Sequence, residues 1–238
     1  MARGAAAETM EPFATLGGER FMVSIVLLQH NPLVGECLRR AIVKEPGMHV
    51  AGMANTLAQA RQCIDRGGAD VLVADLRVGD ERLIDLLAEW RRREPSERPR
   101  VMVIALAMAL DDRRLMQALR HGAHGYFIHG NPIHAVADAI RQVLAGESPM
   151  SPPIARWLKA HFRQPGRADG RALDGARPAP GLTESEHRML NRASEGYLAC
   201  EIAREMRTSE HRIGLSTRSL YRKLQSDISA VELSTHPA

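Results

Sequence analysis

Cysteine is scarce: three residues in 238, Cys37, Cys63 and Cys200, fall in no motif and are odd in number, which argues against a disulfide framework or a Cys-based metal site. They suit buried thiols in a reducing compartment rather than a redox sensor. Long hydrophobic runs are missing too. Nothing approaches the ~20 apolar residues that a membrane helix needs, and the N-terminus has no signal-peptide core, so the expectation is a cytoplasmic chain with no membrane partner. Charge of one sign is also in short supply, with a net of only +4 over the whole sequence. Charge is therefore informative only where it is locally uneven. What is present, 45% hydrophobic residues, suits two modest domains that each bury a core. Residues 1–21 read as a disordered extension, and Met22 is an alternative start.

The last quarter has the clearest helical signals. Thr183 and Glu186 form a capping box, Met189, Leu190 and Ala193 give one apolar stripe, and Gly196 ends the helix. Glu201 to Met206 reads as a short second helix with Ile202, Ala203 and Met206 on one face. A tight turn at Arg207-Thr208 leads to Ser209, the cap of a third helix reaching about Leu224. In that helix Ile213, Thr217, Leu220 and Leu224 share the side expected to be buried. His211, Leu215, Arg218 and Arg222 share the side expected to face outward. Between Arg204 and Leu224 six basic side chains oppose only Glu205 and Glu210, whereas residues 182–238 as a whole balance at eight against eight. The positive charge is a stripe on one helix, the distribution that suits phosphate contacts.

Residues 148–181 read as a linker. From Ser151 to Gly181 the chain is rich in Pro, Gly, Ala and Arg and has little periodicity. Its six basic residues against Asp169 and Asp174 are read as a solvated surface.

Upstream, from Ser24 to Gly146, short apolar runs alternate with amphipathic stretches. Strands are expected at 25–28, 49–53, 71–74, 101–106 and 126–128, each apolar enough for a sheet covered on both faces. Helices fill the gaps. Leu33, Val34, Cys37, Leu38, Ala41 and Ile42 share a face, Thr56 and Gln59 form a capping box, Leu83, Leu86, Leu87 and Trp90 repeat the pattern, and Pro132 sits at a helix start. A fivefold βα repeat implies an α/β flavodoxin-like sheet whose working edge lies at the strand C-termini.

Residues 182–224, with Leu182-Thr183-Glu184-Ser185-Glu186, Glu195-Gly196, Glu201-Ile202-Ala203, Thr208-Ser209-Glu210 and Ser219-Leu220-Tyr221-Arg222-Lys223-Leu224, resemble the LuxR-type helix-turn-helix. Residues 22–147 resemble the receiver domain of response regulators, above all at Asn31-Pro32-Leu33-Val34, Asp70-Val71-Leu72-Val73-Ala74-Asp75-Leu76-Arg77 and Ala118-Leu119-Arg120-His121-Gly122-Ala123-His124-Gly125-Tyr126. Together the halves resemble the NarL/FixJ class over nearly everything except the extension and the linker. The resemblance implies a receiver-like domain (22–147), a linker (148–181) and an all-α DNA-binding domain (182–238).

The resemblance puts Asp75 on the phosphoryl-accepting position, but the rest of that site departs. Gln29 and His30 stand where two Mg²⁺-holding carboxylates are expected, Ala105 where a hydroxyl is expected, and His129 where a lysine is expected. Metal charge, a hydrogen bond and a fixed cation are thereby lost from a reaction that depends on positioning and charge stabilisation. The domain is therefore read as a pseudo-receiver. His129 is expected to hydrogen-bond Asp75. His30, Asp75 and His129, two imidazoles and a carboxylate brought to one edge, could instead ligate Zn²⁺ or a similar ion, but the hydrogen bond is the stronger reading. Tyr126 matches the switch aromatic and, with no hydroxyl at 105, is expected to be a fixed surface or interface residue. His121 and His124, at a helix end and turn, need no functional role.

In the DNA reader, the resemblance places Gly214 and Leu215 at contact positions usually polar or basic. Arg218 is then expected at a base edge, with Arg222, Lys223 and Arg212 on phosphates. The family's fourth helix is matched only by Ser229 to Leu233, so pairing is expected through residues 22–147. The reading is a homodimeric, sequence-specific transcription regulator that binds double-stranded DNA, is not an enzyme, uses no cofactor and acts without aspartyl phosphorylation. Another regulator or a sensor protein is a further partner. Two alternatives stay open: phosphorylation-dependent regulation through Asp75, and an adaptor that heterodimerises with another regulator.

Overall fold

The computed structural model describes residues 22–66, 69–78, 80–93, 101–110, 113–163 and 181–234, the stretch 227–234 by backbone only. Strands β1 (Val23–Leu28), β2 (Met48–Ala54) and β3 (Val71–Asp75) alternate with helices α1 (Pro32–Val43) and α2 (Leu57–Asp65). A small hairpin, β4 (Arg77–Val78) and β5 (Glu81–Arg82), precedes α3 (Leu83–Arg92). Then come β6 (Met102–Ala107), α4 (Arg113–His121), β7 (Gly125–Ile128) and α5 (Ala135–Leu144). The five long strands form one parallel sheet in the order β2-β1-β3-β6-β7, the doubly wound arrangement expected from the βα repeat. Its central strand β3 is buried along Val71–Ala74, as a sheet covered on both faces requires.

Local chemistry sets the helix starts. Asn31 Oδ1 accepts from Leu33 N at 3.0 Å, and Pro32 occupies the first turn of α1, where its missing N–H costs nothing. Thr56 Oγ1 accepts from Gln59 N at 3.2 Å, but Gln59 Oε1 reaches back to Asn55 N at 2.9 Å, one residue beyond the box expected. Pro132 opens a tight turn, its carbonyl accepting from Ala135 N at 2.9 Å, and the helix proper begins only there.

The region read as a linker contains a helix, α6 (Pro152–Phe162). Its Pro pair hid it, yet Ser151-Pro152-Pro153 is an N-terminal signature, and Ile154, Ala155 and Leu158 are buried at helical spacing. The remaining linker stretch, 164–180, and the extension, 1–21, lie outside the described residues.

Three helices follow: α7 (Glu184–Glu195), α8 (Ala199–Glu205) and α9 (Glu210–Ser234). The capping box at Thr183 is present, and Gly196 closes α7 in the left-handed conformation at φ 103°. Arg207, at φ 53°, makes the turn between α8 and α9, and Ser209 Oγ caps α9 by accepting from Arg212 N at 3.2 Å. The expected stop near Leu224 is not there. A single 25-residue helix runs to Ser234, and among the described residues no separate fourth helix follows.

The core has two parts. Helices α1 and α5 cover one sheet face with Leu38, Ile42, Val136 and Ile140. On the other face a continuous apolar cluster runs from Val26 and Leu72 through Leu86 and Leu119 to Leu158, Met189, Leu220 and Tyr221. The two halves of the chain thus share one core. The thiols do not all join it: Cys37 is exposed, and Cys63 and Cys200 are half-buried. Cys37 shares a face with core residues in the sequence pattern but sits at that stripe's edge.

Candidate DNA-reading helix and receiver-like pocket

At the C-terminal edge of the sheet, β1 and β3 are neighbours, with Leu28 level with Ala74. The residues just beyond them therefore meet. His30 Nδ1 lies 3.0 Å from Asp75 Oδ2. The partner of Asp75 is His30, not His129 as the sequence suggested. β7, which precedes His129, lies on the far side of β6, and His129 N donates to Ala107 O at 3.0 Å instead. Among the described residues no group of three His, Cys, Asp or Glu side chains converges as a metal site, so the trio of His30, Asp75 and His129 does not assemble.

Gln29 is buried, and its Oε1 accepts from Asn31 N at 3.0 Å, bracing the loop that starts α1. Ala105 is fully buried and level with Ala74 on one side and Tyr126 on the other. The pocket is a carboxylate with one imidazole beside it and apolar walls. Tyr126 is not a surface residue: it is 9% exposed, and burial pushes its hydroxyl up to about 12. It belongs to the same buried cluster as Tyr221 of α9, at the junction of the two halves.

That junction governs the basic helix. α9 packs on α4, and its outward stripe turns toward the receiver-like half. Tyr221 Oη donates to Pro149 O at 2.6 Å, Gln225 Nε2 donates to Leu119 O and Ala123 O at 2.9 and 3.2 Å, and Arg91 donates to Gln225 O. Ser148 N donates to Gly214 O at 3.1 Å, and Glu147 Oε1 lies 2.5 Å from His211 Nδ1.

Side chains expected on DNA therefore divide. Arg212 and Arg222 are exposed. Arg218 is only 9% exposed, its Nη1 is buried without a partner, and burial lowers its pKa to about 10 with a further push from Arg222. Leu215 is half-buried beside Gly146. Gly214 is covered by Glu147. Lys223 Nζ sits 2.5 Å from Glu186 Oε2 and 3.2 Å from Gly181 O, tying α9 to α7. The Glu186 carboxyl is held below its usual range by Lys223, Thr183 and Ser219, against the upward push of burial. The outward face assumed for Arg218, and the free cation assumed for Lys223, are corrected by these contacts. Helical periodicity gives two faces but not which neighbour covers the second.

Sequence reasoning also passed over Glu147, Tyr221, Gln225 and His124. His124 Nδ1 accepts from Val103 N at 3.1 Å, and burial, then Arg218 and Arg222, hold its imidazole well below its ordinary value. The only available signal was Tyr221, an aromatic on a helix already supplied with a core stripe.

No family model matches the chain. Among curated proteins it is 27% identical to the DNA-binding transcriptional activator DevR/DosR of Mycobacterium tuberculosis, over 89% of this chain and 95% of that one. It is 24% identical to the nitrate/nitrite response regulator NarP of Escherichia coli, over 84% and 87%. Among solved structures, the RcsB response regulator of Salmonella typhimurium superposes with a TM-score of 0.51 at 19% identity, covering 87% of this chain and 99% of that one. A LuxR-family two-component response regulator from Aurantimonas gives 0.51 at 24%, over 60% and 99%. The chain is thus similar over most of its length to a DNA-binding transcriptional activator and to response regulators, and its fold joins a five-stranded parallel sheet to a helical C-terminal region.

Proposed function

We propose that the protein is a transcription regulator that reads double-stranded DNA through α9 and is held here in a docked, DNA-incompetent arrangement. The observation that carries this is the α8-turn-α9 unit, capped at Ser209 and bearing exposed Arg212 and Arg222, with Arg218 buried against the receiver-like half. The relatives named above are described as a DNA-binding transcriptional activator and as a response regulator, which fits this reading. Undocking exposes Arg218 for a base edge while Arg212 and Arg222 meet phosphates. Selection of bound duplexes from a random-sequence pool by the full chain tests it: enrichment of a defined motif is expected, and no enrichment from pure protein favours the adaptor alternative.

The receiver-like half is assigned a docking and pairing role independent of aspartyl phosphorylation. With His30 in contact with Asp75 and Gln29 spent on the α1 loop, Asp75 supplies the only carboxylate toward Mg²⁺ among the residues at the metal-holding positions. No enzymatic activity is assigned. No helix of the described residues is long and apolar enough to cross a membrane, which is compatible with action in the cytoplasm. A homodimer through residues 22–147 would place two α9 helices on half-sites about one helical turn apart. Light scattering of the full chain checks the pairing, with a monomer at micromolar concentration counting against it.

A further inference from the structure

Away from both the Asp75 pocket and the α9 contacts, α4 and α6 flank an open groove of about 540 Å³. Arg113, Met116, Gln117 and Arg120 line it from α4, and Arg156 and Trp157 from α6. Among the described residues no carboxylate lines it and none of the three arginines forms an ion pair. Arg120 Nε is buried with no hydrogen-bond partner. Among the described residues Arg156 Nη1 donates only to Ser194 O, at 3.2 Å. Three guanidiniums with no acid of the described residues against them favour an anion with several oxygens, which their planar forks can bind in bidentate fashion. Trp157 is half-buried and stacks on His161 with ring centroids 5.9 Å apart, so the indole edge and face left toward the groove add an apolar wall, and Gln117 adds an amide that both donates and accepts. The volume lies in the range of small-molecule sites.

The geometry points to a site for a phosphorylated nucleoside, with the phosphates on Arg113, Arg120 and Arg156 and the base against Trp157. Such a ligand spans two elements with different loyalties. α4 carries the carbonyl of Leu119 that Gln225 of α9 holds, whereas α6 packs on α7 of the helix-turn-helix. A nucleotide bridging α4 and α6 therefore clamps the docked arrangement and lowers DNA affinity, a consequence that rests on the regulatory reading above; the site itself does not.

Isothermal titration calorimetry of the full chain with ADP, pyrophosphate and adenosine, in the absence of DNA, tests the site. Saturable ADP binding is expected, at least tenfold tighter than either fragment and at least tenfold weaker in Arg156→Gln and Arg113→Gln, both exposed side chains whose loss leaves the core intact. No saturable binding, binding unchanged in both variants, or pyrophosphate binding as tightly as ADP overturns the assignment. So does duplex DNA that displaces ADP and loses affinity in the same variants, since the groove is then a DNA-phosphate contact. A separate mobility-shift titration reads the clamp: ADP is expected to weaken duplex binding severalfold in the parent and not in Arg156→Gln, and an unchanged affinity with ADP bound overturns the clamp.

Discussion

Glu147 fills the space that Gly214 leaves open. A Cβ at position 214 would stand 2.5 Å from Glu147 Oε2 and 2.8 Å from its Cβ and Cδ, closer than real contacts allow. Glycine inside α9 therefore serves the close approach of the loop after α5 rather than base reading, and it costs that helix about 1 kcal/mol relative to alanine. Gly214→Ala should push Glu147 off α9, break its contact with His211, and weaken docking by roughly 1–3 kcal/mol, as overpacking does. Duplex affinity is then expected to rise about fivefold or more, because the competent state is no longer opposed. A mobility-shift titration decides the matter, and an affinity equal to or below that of the parent contradicts the docking role of Gly214.

Arg218 gives the opposite pairing of effects. Its guanidinium is buried with Nη1 unpartnered and its pKa lowered to about 10, so the cation is disfavoured where it lies. The guanidinium stays protonated at every working pH, so the penalty of burying it with Nη1 unpartnered is present throughout. Arg218→Met keeps the bulk and removes the charge. Thermal stability should rise by roughly 1–3 kcal/mol while specific DNA binding weakens by a similar amount. A melting temperature that falls in this variant would count against a buried, uncompensated cation.

His124 makes the docked form sensitive to acid. Burial first, then Arg218 and Arg222 on α9, hold its imidazole well below 6.5, and His121 and Arg91 line the same cavity. Above about pH 6.5 the side chain is neutral whether folded or unfolded and contributes no pH dependence. As pH falls below that value the unfolded chain takes up a proton that the folded protein refuses, and stability drops by up to about 1.4 kcal/mol per pH unit. Melting curves from pH 8 to pH 5.5 should show this slope and should show it flattened in His124→Asn, whose Oδ1 can still accept from Val103 N. Equal slopes in the two proteins would place the acid sensitivity elsewhere.

The five long strands were legible because each is a short, mostly apolar run, whereas the β4-β5 hairpin, two residues a side with Arg77, Glu81 and Arg82 in it, carries no such signal. Thr183, Gly196 and Ser209 were legible because capping is local, decided within three residues. What escaped was decided at a distance. α6 was masked by the Pro-rich composition of its surroundings, although its stripe of Ile154, Ala155 and Leu158 meets the helix period. The partner of Asp75 depends on strand order, which makes His30 a neighbour and separates His129 by one strand. The burial of Arg218 depends on a cavity shared with Trp90, Val103 and His124, far upstream, and no periodicity within α9 encodes which side that surface covers.

The pocket at Asp75 leads to a chemical expectation. Phosphoryl transfer to an aspartate needs charge on the metal side and donors on the departing oxygens, and the residues in those places are an imidazole, a committed amide and a buried methyl group. His30, 3.0 Å from Asp75 Oδ2, occupies one side of the carboxylate that an incoming phosphoryl group would use. Acetyl phosphate with Mg²⁺ should therefore leave the full chain unmodified over an hour, and His30→Asp alone should not restore transfer, because Ala105 and the strand separating His129 still leave the oxygens without donors. Intact-mass spectrometry reads the outcome directly. A phosphoryl adduct on the parent protein that vanishes in Asp75→Ala would return Asp75 to service as a phosphoacceptor and make docking of α9 answerable to it.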